Sequence, residues 1–274
     1  MANKRDIKAA LGTFFEENKI EFYSVLPYGA CRVTAEHIIA REDFLPRSVI
    51  FFLLPYYGGA TDNLSVYAAS KDYHVIIREL TDGLISRLKE LCPEARAKGY
   101  GDHSPIDERH GAISAGLGIL GKSGLLINEK YGTYVFIADV ITDISPEELG
   151  AMDPVPLRLC HGCGKCLAAC PTGVLRGESD RCLSEITQRK GELTDSETAL
   201  MRDNGTVWGC DLCQSACPYN INPIETPIAF FHEDRIPRLT MDILAQMDKD
   251  ALSMRAFGWR GRRVVERNLK LLGY

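Results

Sequence analysis

Nowhere does this sequence stay apolar for long: its longest unbroken run is the seven residues 49–55, far short of the roughly 20 that a membrane-spanning helix requires. Basic charge is also scarce. There are 32 Lys and Arg against 37 Asp and Glu, a net of −5, which leaves no overall electrostatic footprint for nucleic acid, although a local patch can form against that sum. The opening residues MANKRDIKAALGTFFEENK spread their charges and lack an apolar segment, so they read as neither signal peptide nor anchor. A cytoplasmic protein is the expectation, with no membrane partner. There is no low-complexity tract and no internal repeat beyond two cysteine blocks. Cysteine is nearly missing from the first 159 residues, which hold only Cys31 and Cys92, while the other eight crowd between Cys160 and Cys217. In a reducing compartment such a cluster is not a disulfide framework. Cys31 and Cys92 read as ordinary buried thiols.

The apolar pattern predicts several elements. Ile7, Ala10, Leu11, Phe14 and Phe15 fall at helical spacing, giving an amphipathic N-terminal helix. Ser48 and the run after it, closed by Pro55, read as a buried strand. Tyr73, Ile77, Leu80, Leu84, Leu88 and Leu91 mark one face of a long helix that ends before Pro93. Residues 125–127 and 133–141 read as two strands joined by a turn at 129–132. The stretch 145–158, with three prolines, reads as a linker. Helix and strand thus alternate loosely before residue 150, as in a sheet flanked by helices.

The cysteine spacing carries the chemistry. Cys160-x2-Cys163-x2-Cys166-x3-Cys170-Pro171 is the bacterial ferredoxin run. Two-residue gaps let three thiolates converge on one cubane, with Gly162 and Gly164 allowing the backbone to wrap closely. The fourth cysteine, before proline, ligates the other cluster in two-cluster proteins. The second block, Cys210-x2-Cys213-x3-Cys217-Pro218, is one cysteine short, and Cys182 completes the count. Cluster one is therefore assigned Cys160, Cys163, Cys166 and Cys217, and cluster two Cys182, Cys210, Cys213 and Cys170. A pair of structural zinc sites is the plainer alternative, but it leaves the full run and its partial copy unexplained. Two cubanes form an electron path whose potential the spacing does not fix.

Residues 116–123, GLGILGKS, satisfy both GxxxxGK[ST] and GxGxxG. A phosphate-binding loop must follow a strand and open a helix. Here a charged, helix-like segment precedes the glycines and strand–turn–strand follows, so nucleotide binding is not expected. Another large cofactor could still approach this bare backbone.

The stretches VYAASKDYH (66–74), GDHSPIDERHGAISAGLGILGKSG (101–124), VITDI (140–144), CGKCLAACPTGVL (163–175), RCLSEIT (181–187) and WGCDLCQSACPYN (208–220) together resemble the epoxyqueuosine reductase family, cobalamin-dependent iron–sulfur enzymes related in chemistry to reductive dehalogenases. The resemblance covers roughly residues 45–222. It implies a corrinoid-binding, catalytic domain over 1–150, a two-cluster ferredoxin-like domain over 151–225 and a short helical tail over 226–274. The implied fold is α+β, with an α/β-like first domain. Asp102 falls at the position of the family's proton donor. Tyr73, His74 and Arg109 fall among residues lining the active site, and Ala115, Gly116, Leu117, Gly118 and Lys122 on the cofactor-contacting loop. Read without the family, His74 is a helix cap or a solvated residue, Asp102 a turn residue or cap, and Glu108 with Arg109 a surface pair.

Relatives usually continue into a helical-repeat segment that helps hold tRNA, whereas this sequence stops at Tyr274, and its first 44 residues match poorly. Its last residues carry Arg260, Arg262, Arg263 and Arg267, which resemble the family's basic stretch and could meet tRNA phosphates, or equally form a solvated helix face. The expectation is cobalamin-dependent reduction of epoxyqueuosine to queuosine in tRNA, with electrons from a low-potential donor. Reduction of a small molecule at a corrinoid, or a non-catalytic iron–sulfur electron carrier, are the rival readings.

Overall fold

In the computed structural model, which describes residues 4–274, the chain divides into two compact units. The first comprises Met1–Pro55 and Ile76–His161, the second Tyr56–Val75 and Gly162–Tyr274. The division therefore falls at 161 rather than 150, the segment 56–75 joins the cysteine-rich part, and no third unit is set apart at 226.

The first unit is built on a four-stranded sheet ordered β1-β2-β6-β3, antiparallel at every pairing. Its strands are β1 (Tyr23–Pro27), β2 (Ser48–Pro55), β3 (Ala97–Tyr100) and β6 (Val135–Thr142). This corrects the α/β-like expectation: β2 and β6 lie side by side in opposite directions, so the unit is α+β. All eight residues of β2 are buried, because helices cover both faces. Phe52 meets Phe15 of α1 (Lys4–Glu17) with ring centroids 5.3 Å apart. Phe51, pointing the other way, packs so closely on Gly111 of α4 (Glu108–Ser114) that a Cβ there would sit 2.3 Å from the ring. The short α2 (Glu36–Ile39) follows β1. The long helix α3 (Tyr73–Leu91) turns Ile77, Leu80, Leu84 and Leu88 inward, the face its period marks. Of the reading placed on the opening residues, the first three lie outside the described residues.

The proline-rich stretch at 145 is no linker. Ser145 and Glu148 form a reciprocal capping box at the start of α5 (Pro146–Leu149), which closes at the left-handed Gly150. Beyond it the chain is sewn back to this unit, Met152 N–H to Val25 O at 3.0 Å and Val155 N–H to Ser114 O at 2.8 Å.

The second unit has short helices: α6 (Lys165–Ala169), α7 (Leu183–Gln188), α8 (Asp195–Asn204), α9 (Leu212–Ser215), α10 (Met241–Gln246), α11 (Lys249–Ser253) and α12 (Arg262–Leu272). Its apolar core gathers Leu64, Trp208, Leu239, Phe257, Val265 and Leu269. Asn63 brackets Leu239 through both backbone groups at 2.8 Å, and the buried Asn268 donates to Thr187 O and Val207 O. The expected helical tail is thus one wall of this core, and among the described residues no helix is long and apolar enough to cross a membrane.

Candidate functional site

The glycine-rich segment sits on a hairpin. After α4 the chain turns at Gly116, whose φ of +76° suits glycine, and enters β4 (Ile119–Leu120), which pairs with β5 (Leu126–Ile127). Helix, then hairpin, is the reverse of what a phosphate loop needs, and the expected strands at 125–127 and 133–141 fall into two different sheets. Within the segment, Ala115, Leu117 and Gly118 are buried, while Gly116 and Lys122 face outward. A Cβ on Gly118 would lie 2.6 Å from Ile127 O, so this glycine is required by packing. Asn128 secures the hairpin through Leu117 O at 3.0 Å.

The same hairpin holds the first cysteine of the ferredoxin run. Leu120 N–H donates to Arg158 O at 2.8 Å and Cys160 N–H to Leu120 O at 2.9 Å, so Leu159 forms a parallel bridge with Leu120 of β4.

Asp102 lies on the loop between β3 and α4, exposed, with φ of +69°, a left-handed conformation that Asp tolerates better than most residues. Asp107 caps α4 by accepting from His110 N–H at 3.1 Å. Arg109, exposed, reaches the hairpin turn and donates to Gly124 O at 2.7 Å. The first unit thus brings Asp102, Arg109 and the hairpin bearing Lys122 into one continuous stretch of structure.

Glu108 is not the surface partner of Arg109 that helical spacing suggests. Its carboxyl turns inward, and burial first, then the charge of Asp102, push its pKa up to about 7; backbone amides of Asp102 and Ser104 pull the other way. Beneath it is Asp139, fully buried in the middle of β6, its pKa raised by burial and then by the charge of Glu108. Ser104 Oγ donates to Asp139 Oδ1 at 3.1 Å. Neither member of this pair was singled out from sequence as functional. The available signal was an aspartate in mid-strand in the otherwise apolar VFIADVIT.

Tyr73 and His74 stand on the second unit. Asp72 caps α3, accepting from His74 N–H at 3.0 Å, and contacts His74 Nδ1 at 2.7 Å, while the imidazole stacks on Tyr73 at 4.2 Å. The cap is Asp72 rather than His74, whose ring remains partly open to solvent.

The ten cysteines form no disulfide. In the second unit Cys182 and Cys170 are electrostatic neighbours of both Cys210 and Cys213. Burial pushes Cys210 up to about 11 and Cys213 to about 12, and the charges of Cys182 and Cys170 add to both. Cys170 goes down: burial opposes this, but amides of Leu175, Thr172 and Gly173 and the Thr172 hydroxyl favour its thiolate. Among the described residues no three His, Cys, Asp or Glu converge as a single ion would require. A cubane distributes its thiolates around four irons instead. Gly162 and Gly164 take left-handed conformations, as close wrapping requires. Asp211, beside Cys210, binds Ser65 Oγ and Val66 N–H, each at 2.6 Å, which ties segment 56–75 to the cysteine block.

The basic residues near the C-terminus line a groove of about 620 Å³, together with Lys190 and Gly191. Arg262 and Arg267 are committed: the first donates to Leu244 O at 2.7 Å and to Met247 O, the second to Arg189 O and Gly191 O. Arg260, stacked 3.7 Å over Trp259, and Arg263 are exposed, as is Lys190.

Residues 159–220 match the 4Fe-4S double cluster binding domain, which places the chain among two-cluster iron–sulfur proteins. It is 33% identical over 210 residues to an epoxyqueuosine reductase of Listeria monocytogenes (72% of this chain, 53% of that protein) and 33% identical over 218 residues to that of Gloeobacter violaceus (76% and 66%). The chain belongs to the epoxyqueuosine reductase family. It spans between about half and two thirds of the length of these relatives. The fold is likewise similar to that of a Bacillus subtilis epoxyqueuosine reductase whose catalytic aspartate loop is swung out of the active site (TM-score 0.79, 24% identity, 98% of this chain and 82% of that one). It is also similar to an epoxyqueuosine reductase holding an epoxyqueuosine-modified tRNA-Tyr stem loop (TM-score 0.78, 22% identity, 98% and 81%).

Proposed function

We propose that this chain is a cobalamin-dependent reductase that converts epoxyqueuosine to queuosine in tRNA, fed by two 4Fe–4S clusters on the cysteine sets given above. The observation that carries the reading is the backbone link between Cys160 and Leu120. It fixes Cys160, a ligand assigned to cluster one, to the hairpin that carries the cofactor loop, within the first unit. The proximity of Cys170 and Cys182 to both Cys210 and Cys213 supports the ligand set of cluster two.

A corrinoid suits the first unit's outward features: the exposed, left-handed Gly116, the exposed Lys122 and the guanidinium of Arg109, which is held at the turn of the same hairpin. When bound, the cobalt centre supplies low-potential electrons to the epoxide-bearing ring. The chain's own residues do the rest. Asp102 holds a proton at its carboxyl for delivery as the ring is reduced, help typically worth 10²–10⁴-fold. Arg109 and Lys122 orient anionic groups of cofactor and substrate. Arg260, Arg263 and Lys190 meet tRNA phosphates, while Arg262 and Arg267 hold the groove in shape. The aspartate loop of the B. subtilis enzyme and the RNA-bound relative support these assignments by analogy.

Titrating the anaerobically reconstituted chain with cobalamin tests the reading. One equivalent is expected to bind with a change in its visible spectrum, and Lys122→Glu or Gly116→Trp is expected to weaken it. Absence of binding under reducing conditions would leave an electron carrier in place of the enzyme.

A further inference from the structure

Two buried carboxyl oxygens have no hydrogen-bond partner, Glu108 Oε1 and Asp139 Oδ2, and the charge of Glu108 reaches Asp139. Buried polar atoms are rarely left unsatisfied, and two neighbouring buried carboxyls do not both ionise. A single shared proton resolves both facts. Asp139, deepest and wholly shielded, is the natural holder of that proton, which leaves the charge on Glu108. There the amides of Asp102 and Ser104 are turned toward it.

No cation is among the groups that act most strongly on Glu108, and His110, two residues on, leaves its Nδ1 unpartnered. From α4 come Asp107 and Glu108 itself, from the preceding loop Asp102 and Ser104. Cys31 and Tyr100 face Asp139, and both are held protonated, primarily by burial. Arg109 points its guanidinium away, to Gly124. Among the groups acting on Glu108, the two loop amides are the ones that favour its charge.

We infer that Glu108 is a positioning residue for Asp102: sharing one proton with Asp139, it grips the backbone of the Asp102 loop and holds the left-handed turn that presents the Asp102 carboxyl. Asp102 at φ +69° is a conformation that surrounding structure must enforce, and an amide held by a buried carboxylate supplies that enforcement. When Glu108 takes up a second proton, the charge-assisted grip is lost and the loop is freed. The importance of this for turnover rests on the proposed role of Asp102; the grip itself does not.

The test follows the backbone amide signals of Asp102 and Ser104 by NMR across pH 5–9 in the reconstituted chain. Both are expected to titrate with one midpoint near neutrality, and Glu108→Gln is expected to abolish that step. At pH 8 the same variant should exchange these amides roughly tenfold faster, the equivalent of one charge-assisted hydrogen bond. If Glu108→Gln does not fold, Asp102→Asn provides the second arm. Removing the neighbouring charge should lower the midpoint seen at Ser104. Amides that do not titrate near neutrality, or that titrate unchanged in both variants, overturn the inference. An Asp102→Asn chain with full turnover but a shifted midpoint would instead reject Asp102 as proton donor and leave the grip standing.

Discussion

The two units hold themselves together differently. In the first, a strand buried along its whole length is covered by helices on both faces, and aromatic side chains fix the spacing of α1 and α4. Within 162–220 of the second, three of the four helices have six residues or fewer, too short to persist without tertiary support. That segment holds seven of the eight clustered cysteines. Its apolar anchoring lies elsewhere, around Trp208 and Phe257. On the proposed assignments, acid chemistry would sit on the apolar-packed scaffold, and the cluster segment would draw part of its order from the metal.

Removing one cluster ligand tests this contrast most severely. Cys210→Ser should lower iron and sulfide from eight to four per chain, on the two-cubane assignment, and abolish turnover. Limited proteolysis of that variant should cut within 162–220 while the first unit stays intact. Zinc without sulfide in the parent chain, or early cleavage of β2, would break the comparison.

Next in size is Asp102→Asn. It should lower turnover by roughly 10²–10⁴-fold while iron, sulfide and cobalamin content stay at parent values. A variant as fast as the parent would make Asp102 a turn residue only.

Much of the second unit was legible in the sequence because ligand spacing is local: the ferredoxin run and its partial copy announce themselves within a few residues. The helix at Tyr73–Leu91 and the strand at Ser48–Pro55 were legible from periodicity and from an unbroken apolar run. What was hidden depends on contacts distant in sequence. The Ser65–Asp211 bond that joins 56–75 to the cysteine block spans 146 residues. Glu108 follows helical spacing onto the surface until β6 places Asp139 beneath it. The roles of the four arginines could not be told apart either, since carbonyl acceptors such as Leu244 and Arg189 become partners only through folding.

Stability against pH sharpens the picture of the first unit. Glu108 is raised in the folded state from its usual 4.5 to about 7, so the folded chain binds the extra proton between those values. The contribution is complete below about pH 4.5 and is lost as pH rises through about 7. At about 1.4 kcal/mol per pH unit this is worth at most roughly 3 kcal/mol, and Asp139 acts in the same direction. The difference in unfolding free energy between pH 5 and pH 8, measured by urea titration, should shrink in Glu108→Gln. An identical difference in parent and variant would remove Glu108 from the buried set.

The smallest effect is expected at the basic groove. Replacing Lys190, Arg260 and Arg263 by Ala should weaken tRNA binding and flatten its dependence on salt by roughly two to three in log–log slope. Replacing Arg262 should instead destabilise the fold around Leu244 and Met247. Salt-independent tRNA binding, or none, would shift the substrate toward a small molecule.

The proposed activity is tested most directly by single-turnover reaction of the anaerobically reconstituted, cobalamin-loaded chain with an epoxyqueuosine-modified tRNA stem loop and a low-potential reductant, the product nucleoside read by mass spectrometry. Conversion to queuosine that requires cobalamin, both clusters and Asp102 is the predicted result. A chain carrying two clusters and cobalamin that leaves epoxyqueuosine unchanged would contradict it.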